Sequence, residues 1–210
     1  LRQVYKKHGI KKKKYRFYKD ARVKDPGKYR RDLLTMRRQL TRYRHDGYRF
    51  VYLDECMFSR KTLPEAEWTR PKENIRVDQG RLEEPTLALL SGVSKEKGQE
   101  HFMIFPESVN VQKFKLYLRE LRARNPDDKI CLFMDNLSAH KSKKSINEMK
   151  RLGFRHIFNV TYSPQYNPIE FTFSKIKASF KALRAQKLTG LRQDSHEALI
   201  SCLLYTSDAA

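Results

Sequence analysis

The apolar positions from 169 onward fall on one face of a helix. Ile169, Phe173, Ile176, Phe180 and Leu183 recur at i, i+4, i+7, i+11 and i+14, the spacing of a buried helical stripe. The two dipeptides just before it, Ser163-Pro164 and Asn167-Pro168, are turn signals, because the residue ahead of a proline is pushed away from helical geometry. Asn167 can cap the helix, Pro168 suits its first position, and Glu170 falls in its first turn. Upstream, Leu33, Met36, Leu40 and Tyr43 are also spaced for a helix, over 29–43, set among Arg30, Arg31, Arg37, Arg38 and Arg42. Asp46-Gly47 ends it. A second helix is expected over 109–124, with Val111, Phe114, Leu118 and Leu121 inward, Ser108 or Asn110 as cap and Asn125-Pro126 as stop. A third passes through Ile146 and Met149 and ends at Gly153.

Between these helices the pattern changes to that of strands. Residues 48–53 are rich in β-formers and run into Asp54-Glu55. Strands are expected over 87–93 and 101–105, joined by the polar turn at 95–98. With the first strand they form an antiparallel meander, since no helix intervenes. Residues 58–81, with Trp68, read as irregular. The run Ile130-Cys131-Leu132-Phe133-Met134 is continuously apolar, as in a central strand buried on both faces. The helix through Ile146 and a strand over 154–160 complete a βαβ unit, expected to be parallel. The fold class is therefore α/β, a mixed sheet with an antiparallel meander first, then parallel strands, flanked by helices.

Charge adds a partner to this picture. The chain has 210 residues, 39% of them hydrophobic, and a net charge of +21. That is enough for one domain with a core, and the charge points to a polyanion. It is unevenly placed: residues 1–45 carry 18 Lys and Arg against 3 Asp and Glu. Lys11, Lys12, Lys13 and Lys14, set among Tyr5, Tyr15, Phe17 and Tyr18, suit a phosphate backbone. Cys56, Cys131 and Cys202 are odd in number and fit neither a zinc site nor a disulfide framework, which points to a reducing compartment. Cys131 reads as core filler. No apolar run reaches membrane-span length, and the start is no signal peptide. The chain begins with Leu1 rather than Met, as a fragment does.

The chemistry gathers at strand ends. Asp54 and Asp135 are each expected just past the carboxyl end of an apolar strand, where open α/β sheets place their sites. Glu170 starts the helix after the last strand. Three carboxylates brought so close repel one another, and a divalent cation is their natural neutraliser. Magnesium binds through few carboxylates plus waters and phosphate oxygens. Two such ions about 3.5–4 Å apart activate an attacking oxygen and stabilise a leaving one. Glu55 is an alternative to Asp54, but strand neighbours point apart, which favours Asp54. Asn136 is placed to orient Asp135. His140 either touches the leaving phosphate or is a satisfied structural histidine. Lys141, Lys143 and Lys144 are either a solvated helix start or a DNA contact. Lys177 and Lys181 share the side of Glu170 and are expected along DNA.

Asp54-Glu55 after a strand, Asp135-Asn136 followed by His140, and Ser163-Pro164-x-x-Asn167-Pro168-Ile169-Glu170 resemble the DDE transposases of the mariner and bacterial insertion-sequence type. The last two acids are separated by 34 residues, a spacing typical of that superfamily. The resemblance covers about residues 48–187 and also takes in Trp68 and the helix before Asp135. It implies a ribonuclease H-like fold with Asp54, Asp135 and Glu170 as catalytic metal ligands for Mg2+ (or Mn2+), two ions in all. It implies a water attacking a DNA phosphodiester, and the freed 3′-hydroxyl then attacking target DNA. Its partners would be transposon ends and target DNA, with a homodimer as one open assembly. Residues 1–46 would be the basic arm and linker that follow a helix-turn-helix region absent here. Residues 47–190 would be the catalytic domain, and 191–210 a tail whose end, from Cys202, resembles adapter read-through rather than protein. Where the family often has Trp after the final Glu, this chain has Phe171 and Phe173, which are expected to fill the same core. A ribonuclease H-like nuclease without strand transfer, and a domesticated or inactive DNA binder, remain alternatives. The site of action would be nuclear in a eukaryote and the cytoplasm or nucleoid in a bacterium, without secretion.

Overall fold

The computed structural model describes residues 25–58 and 86–188, with side chains given to 182. The expected arm at Lys11–Lys14, Trp68 and the 191–210 tail lie outside the described residues. Helix α1 (Pro26–His45) is followed by strand β1 (Arg49–Phe58), β2 (Leu87–Ser94) and β3 (Gly98–Phe105). Then come α2 (Val111–Arg124), β4 (Ile130–Met134), the short α3 (Ser138–Lys141) and α4 (Lys143–Arg151). Strand β5 (Arg155–Phe158), a 3-10 turn (Pro164–Tyr166) and α5 (Ile169–Leu188) complete the order. The five strands form one sheet in the order β3-β2-β1-β4-β5. The β1–β2 and β2–β3 pairs are antiparallel; β1–β4 and β4–β5 are parallel. The expected mixed sheet is the observed one.

Strand alternation divides the core. Val51, Leu53, Ile130, Leu132 and Met134 point to one face, where Phe114, Tyr117, Leu118 and Leu121 of α2 and Met149 of α4 cover them. Phe50, Cys131 and Phe133 point to the other, against Met36 of α1. On that second face Cys56, Phe58 and Leu89 pack against Ile169, Phe173, Ile176 and Phe180 of α5. All five residues of β4 are buried, as a central strand under two layers requires. Each fully buried Leu, Ile or Phe contributes about 1.5–3 kcal/mol, so the sheet is held from both sides.

Several expectations are corrected. On α5 Phe171 is 75% exposed, so Phe173 and not Phe171 enters the core; on α2 Tyr117 is buried beside Phe114, and Val111 is only half-buried. The Tyr117 hydroxyl donates to the His101 carbonyl oxygen at 3.1 Å, which removes the cost of burying a phenol. Gly92 makes room for it: a Cβ there would stand 2.5 Å from the Tyr117 Oη. The last strand is shorter than 154–160, because the chain turns at Asn159, whose Oδ1 accepts the Val160 amide at 2.8 Å. The first strand is longer. It outruns its parallel partner at Tyr52 but keeps pairing with β2 to Phe58. Asp54 therefore lies inside β1, and only β4 has ended beside it.

Candidate active site

Asp54 and Asp135 stand next to each other because β1 and β4 are parallel neighbours in register from Arg49↔Ile130 to Tyr52↔Phe133. Asp135 follows β4 directly. Glu170 comes from the first turn of α5, which the buried stripe from Ile169 to Phe180 clamps against β1 and β2. Together with Glu55, Asn136 and Asn167, these acids line one cleft of ≈ 480 Å³.

Asp54 is half-buried. Its Oδ1 accepts the Glu55 amide at 2.8 Å and its Oδ2 accepts Asn167 Nδ2 at 3.1 Å. Burial pushes its carboxyl up to about 6; the Glu55 amide opposes this, while the charges of Asp135 and Glu170 add to it. Asp135 goes the other way. Burial raises it, but hydrogen bonds from His140 and from the Leu137 amide hold it below the usual range. Glu170 is exposed on the rim.

The supporting residues are differently arranged from the expectation. Asn136 does not touch Asp135: its Nδ2 donates to the Asn159 carbonyl at 2.5 Å and its Oδ1 accepts Lys141 Nζ at 2.9 Å. Those bonds tie β4 to the loop after β5. His140 is the residue that holds Asp135, with Nδ1 at 2.9 Å from Oδ1. Asn167 is 2% exposed, and its side chain serves Asp54 rather than capping α5, whose first turn takes the Asn167 backbone oxygen instead. Its Oδ1 has no hydrogen-bond partner. Glu55 lies on the opposite strand face from Asp54, turned toward His140.

The reading from residues alone missed Asn159. It is 7% exposed, its amide nitrogen donates to Met134 O at 2.8 Å, and its Nδ2 donates to the Ser163 carbonyl at 2.7 Å. It therefore anchors the Ser163–Asn167 loop to the end of β4. Its only sequence signal is a polar residue closing an apolar run.

Of the cations, Lys141 is engaged with Asn136 and lies over the Phe158 ring. Lys143 and Lys144 are exposed at the start of α4, which Ser142 caps through the Ser145 amide at 3.1 Å. Lys177 is exposed with its ammonium against the Cys56 thiol, and Lys181 is half-buried.

The donor set of the cleft is all oxygen, the preference of hard divalent cations. Among the described residues no three His, Cys, Asp or Glu close on a single metal position. The oxygens of the cleft suit an ion bound through few carboxylates together with waters or substrate oxygens, as magnesium is.

An antiparallel meander followed by parallel strands, flanked by helices and with acids gathered at the carboxyl ends of the central strands β1 and β4, is a ribonuclease H-like architecture. The chain belongs to the DDE superfamily endonucleases, whose family model matches residues 49–192. Its fold resembles the crystal structure of the Mos1 strand transfer complex, with a TM-score of 0.66 at 17% identity over 100% of this chain. That match spans only 62% of the Mos1 chain. The Mos1 mariner paired-end complex with Mn gives 0.65 at 17% identity, covering 100% of this chain and 62% of that one. The isolated catalytic domain of Mos1 mariner transposase gives 0.59 at 17%, covering 94% and 86%. A comparison with curated proteins finds no match.

Proposed function

We propose that this chain is a transposase catalytic domain that cleaves DNA phosphodiesters and joins the freed ends to target DNA with the help of divalent metal. One observation carries the reading. Among the described residues no Lys or Arg pairs with Asp54, Asp135 or Glu170, although the chain has 45 Lys and Arg. Asp54 and Glu170 converge in so basic a protein with no basic partner, and Asp135 meets only the His140 imidazole, so the cluster has room for a cation from outside.

Asp54, Asp135 and Glu170 would hold Mg2+ or Mn2+, two ions in all; the Mos1 complex solved with Mn is consistent with such a donor set. Bound there, the ions supply Lewis acidity to the attacking and leaving oxygens. Asn167 fixes Asp54 from the loop. Lys143, Lys144, Lys177 and Lys181, with Lys11, Lys12, Lys13 and Lys14 of the arm, would hold the phosphate backbone on either side of the cleft. Residues 47–190 form the catalytic unit and 1–46 the basic arm. Transposon ends and target DNA are the partners, with pairing of two chains as the assembly that brings two ends together. Such an enzyme works in the nucleus or nucleoid; among the described residues no helix is long and apolar enough to cross a membrane.

The test is cleavage of duplex DNA in magnesium, with calcium as control, followed by joining to a target duplex. Cleavage and joining are expected. Cleavage without joining would make the protein a nuclease, and binding without cleavage a DNA-binding relative.

A further inference from the structure

His140 lies behind the cleft, in contact with two of the acids that line it. Its ring is fully buried and lies 4.5 Å from the ring of Phe114. A buried imidazole needs partners for both nitrogens. Here both face carboxylates of the cleft. Nδ1 is 2.9 Å from Asp135 Oδ1, and Nε2 is 3.5 Å from Glu55 Oε1. The second contact is ionic rather than a well-formed hydrogen bond, and neither Nε2 nor Oε1 has another partner.

The bonds to Asp135 are one-sided. The Leu137 amide, at 3.0 Å, also falls on Oδ1, so this oxygen is held twice. No hydrogen bond falls on Oδ2 among the described residues. A carboxylate held in this way is turned, with one oxygen committed to protein and the other presented to the cleft. Strand parity explains how Glu55 takes part. It shares the face of Leu53, under α2 and α3, while Asp54 shares the face of Cys56, toward α5.

We propose that Glu55 and His140 form a positioning pair: Glu55 sets the imidazole ring, and the ring sets Asp135 so that only Oδ2 is offered to a divalent cation. The proposal rests on Asp135 being a metal ligand. It gives the adjacent acids of Asp54-Glu55 separate work, one as a ligand and the other acting through a histidine. Partners of this kind, one shell out from the metal, typically change affinity or activity by about 10–100-fold when removed.

Asparagine and glutamine separate the two contacts. The amide nitrogen of Asn falls near the position of Nδ1, and that of Gln near Nε2. His140→Asn keeps a donor for Asp135 and loses the reach to Glu55; His140→Gln does the reverse. Mn2+ affinity is measured by calorimetry on the DNA-free full chain, with melting in metal-free buffer and kcat and KM for cleavage beside it. His140→Gln is expected to weaken Mn2+ binding by about 10–100-fold and to lower kcat with KM for DNA unchanged. His140→Asn should lose clearly less. Because position 140 is fully buried, Glu55→Gln provides a second probe at a side chain that is only partly buried. It should weaken Mn2+ binding alone and add nothing on top of His140→Gln. Equal affinities for the folded Asn and Gln variants, or a Glu55→Gln variant that binds like the wild type, would overturn the proposal. Asp135→Asn is the control. If it abolishes Mn2+ binding while the other variants bind normally, only the positioning pair is wrong. If it leaves binding unaltered, the ligand reading beneath the pair has failed with it.

Discussion

The two ends of the parallel strands treat acids in opposite ways. At the amino-terminal end, Arg49 lies 2.9 Å from Glu100 and 2.8 Å from Asp128, and Lys97 reaches Asp128 at 3.1 Å. Asp128 is held below the usual carboxylate range, first by the hydrogen bonds from Lys97 and Arg49. On α4, Glu148 is likewise enclosed by Arg119 at 2.7 Å and Arg151 at 2.6 Å. At the carboxyl-terminal end, Asp54 is pushed up to about 6 by burial and by its acidic neighbours. The residue types are the same, and the difference lies in who stands opposite. Acids with resident cations hold the fold together; acids left facing one another store repulsion that a ligand relieves. An acid-rich edge is therefore a candidate site where Lys and Arg stay away, even though one of its acids, Asp135, keeps a histidine partner.

Substitutions should divide along the same line. Asp54→Asn, Asp135→Asn and Glu170→Gln are each expected to nearly abolish magnesium-dependent cleavage. Asp54→Asn should also melt no lower than the wild type in metal-free buffer, since a repelled charge is removed. Near-normal cleavage by any of the three would strike that acid from the ligand set. At the opposite end, Arg49→Met strands Glu100, whose side chain is 1% exposed. Breaking a buried pair in this way costs about 3–5 kcal/mol, readable by denaturant titration. An unfolding midpoint equal to that of the wild type would mean that the two ends do not differ as described.

Acid pH provides a milder probe. Hydrogen bonds from Arg151 and Arg119 hold the Glu148 carboxyl down to about 2 from a usual 4.5. A depressed acid stabilises the fold fully above its unfolded value, and the benefit is lost as pH falls through the folded one. Melting temperature should therefore drop between about pH 4.5 and 2, and Glu148→Gln should flatten that drop while sparing cleavage. A variant with the wild-type acid limb would show that Glu148 is not a paired acid in solution.

Most of the fold is readable in the residues because its signals are periodic. The stripe from Ile169 to Phe180 follows from helical spacing and the strand from Ile130 to Met134 from a continuous apolar run, and both are buried as those patterns require; the meander follows from strands joined without a helix. The acids could be placed at one edge for the same reason. Roles set by contacts across the chain were not readable. Whether Asn136 or His140 meets Asp135 depends on the turn of α3, a helix of four residues too short to carry a periodic signal. Asn167 looks like a cap by position, and only the closeness of β1, 113 residues away in sequence, gives its side chain to Asp54. Asp54 reads as the end of its strand because the run of β-formers stops at Leu53; pairing with β2, invisible to local pattern, carries β1 onward to Phe58. Tyr117 was passed over because a phenol on a helix is as often half-exposed as buried, and the space made by Gly92 is a tertiary fact.

The smallest expected effect lies on α5, where the two faces of one helix repeat the contrast. Phe173 and Phe180 are buried beneath the sheet, and truncating either to Ala should cost about 3–5 kcal/mol. Lys177 is exposed on the side of Glu170, with its ammonium near Cys56. Lys177 has no acidic partner among the described residues and is exposed, so its charge is open to a phosphate. Lys177→Ala should change stability by less than about 0.5 kcal/mol. If Lys177 meets one phosphate, the slope of log affinity for DNA against log salt should shrink by about 0.9. Thermal melting and salt-titrated DNA binding, run on Phe173→Ala and Lys177→Ala together, read both quantities. A lysine variant with an unchanged salt slope would place the DNA elsewhere on the protein, leaving the lysine as solvated surface. One that also melted early would mean that the ammonium supports the fold, and the basic face of α5 would then belong with the paired charges of the other end.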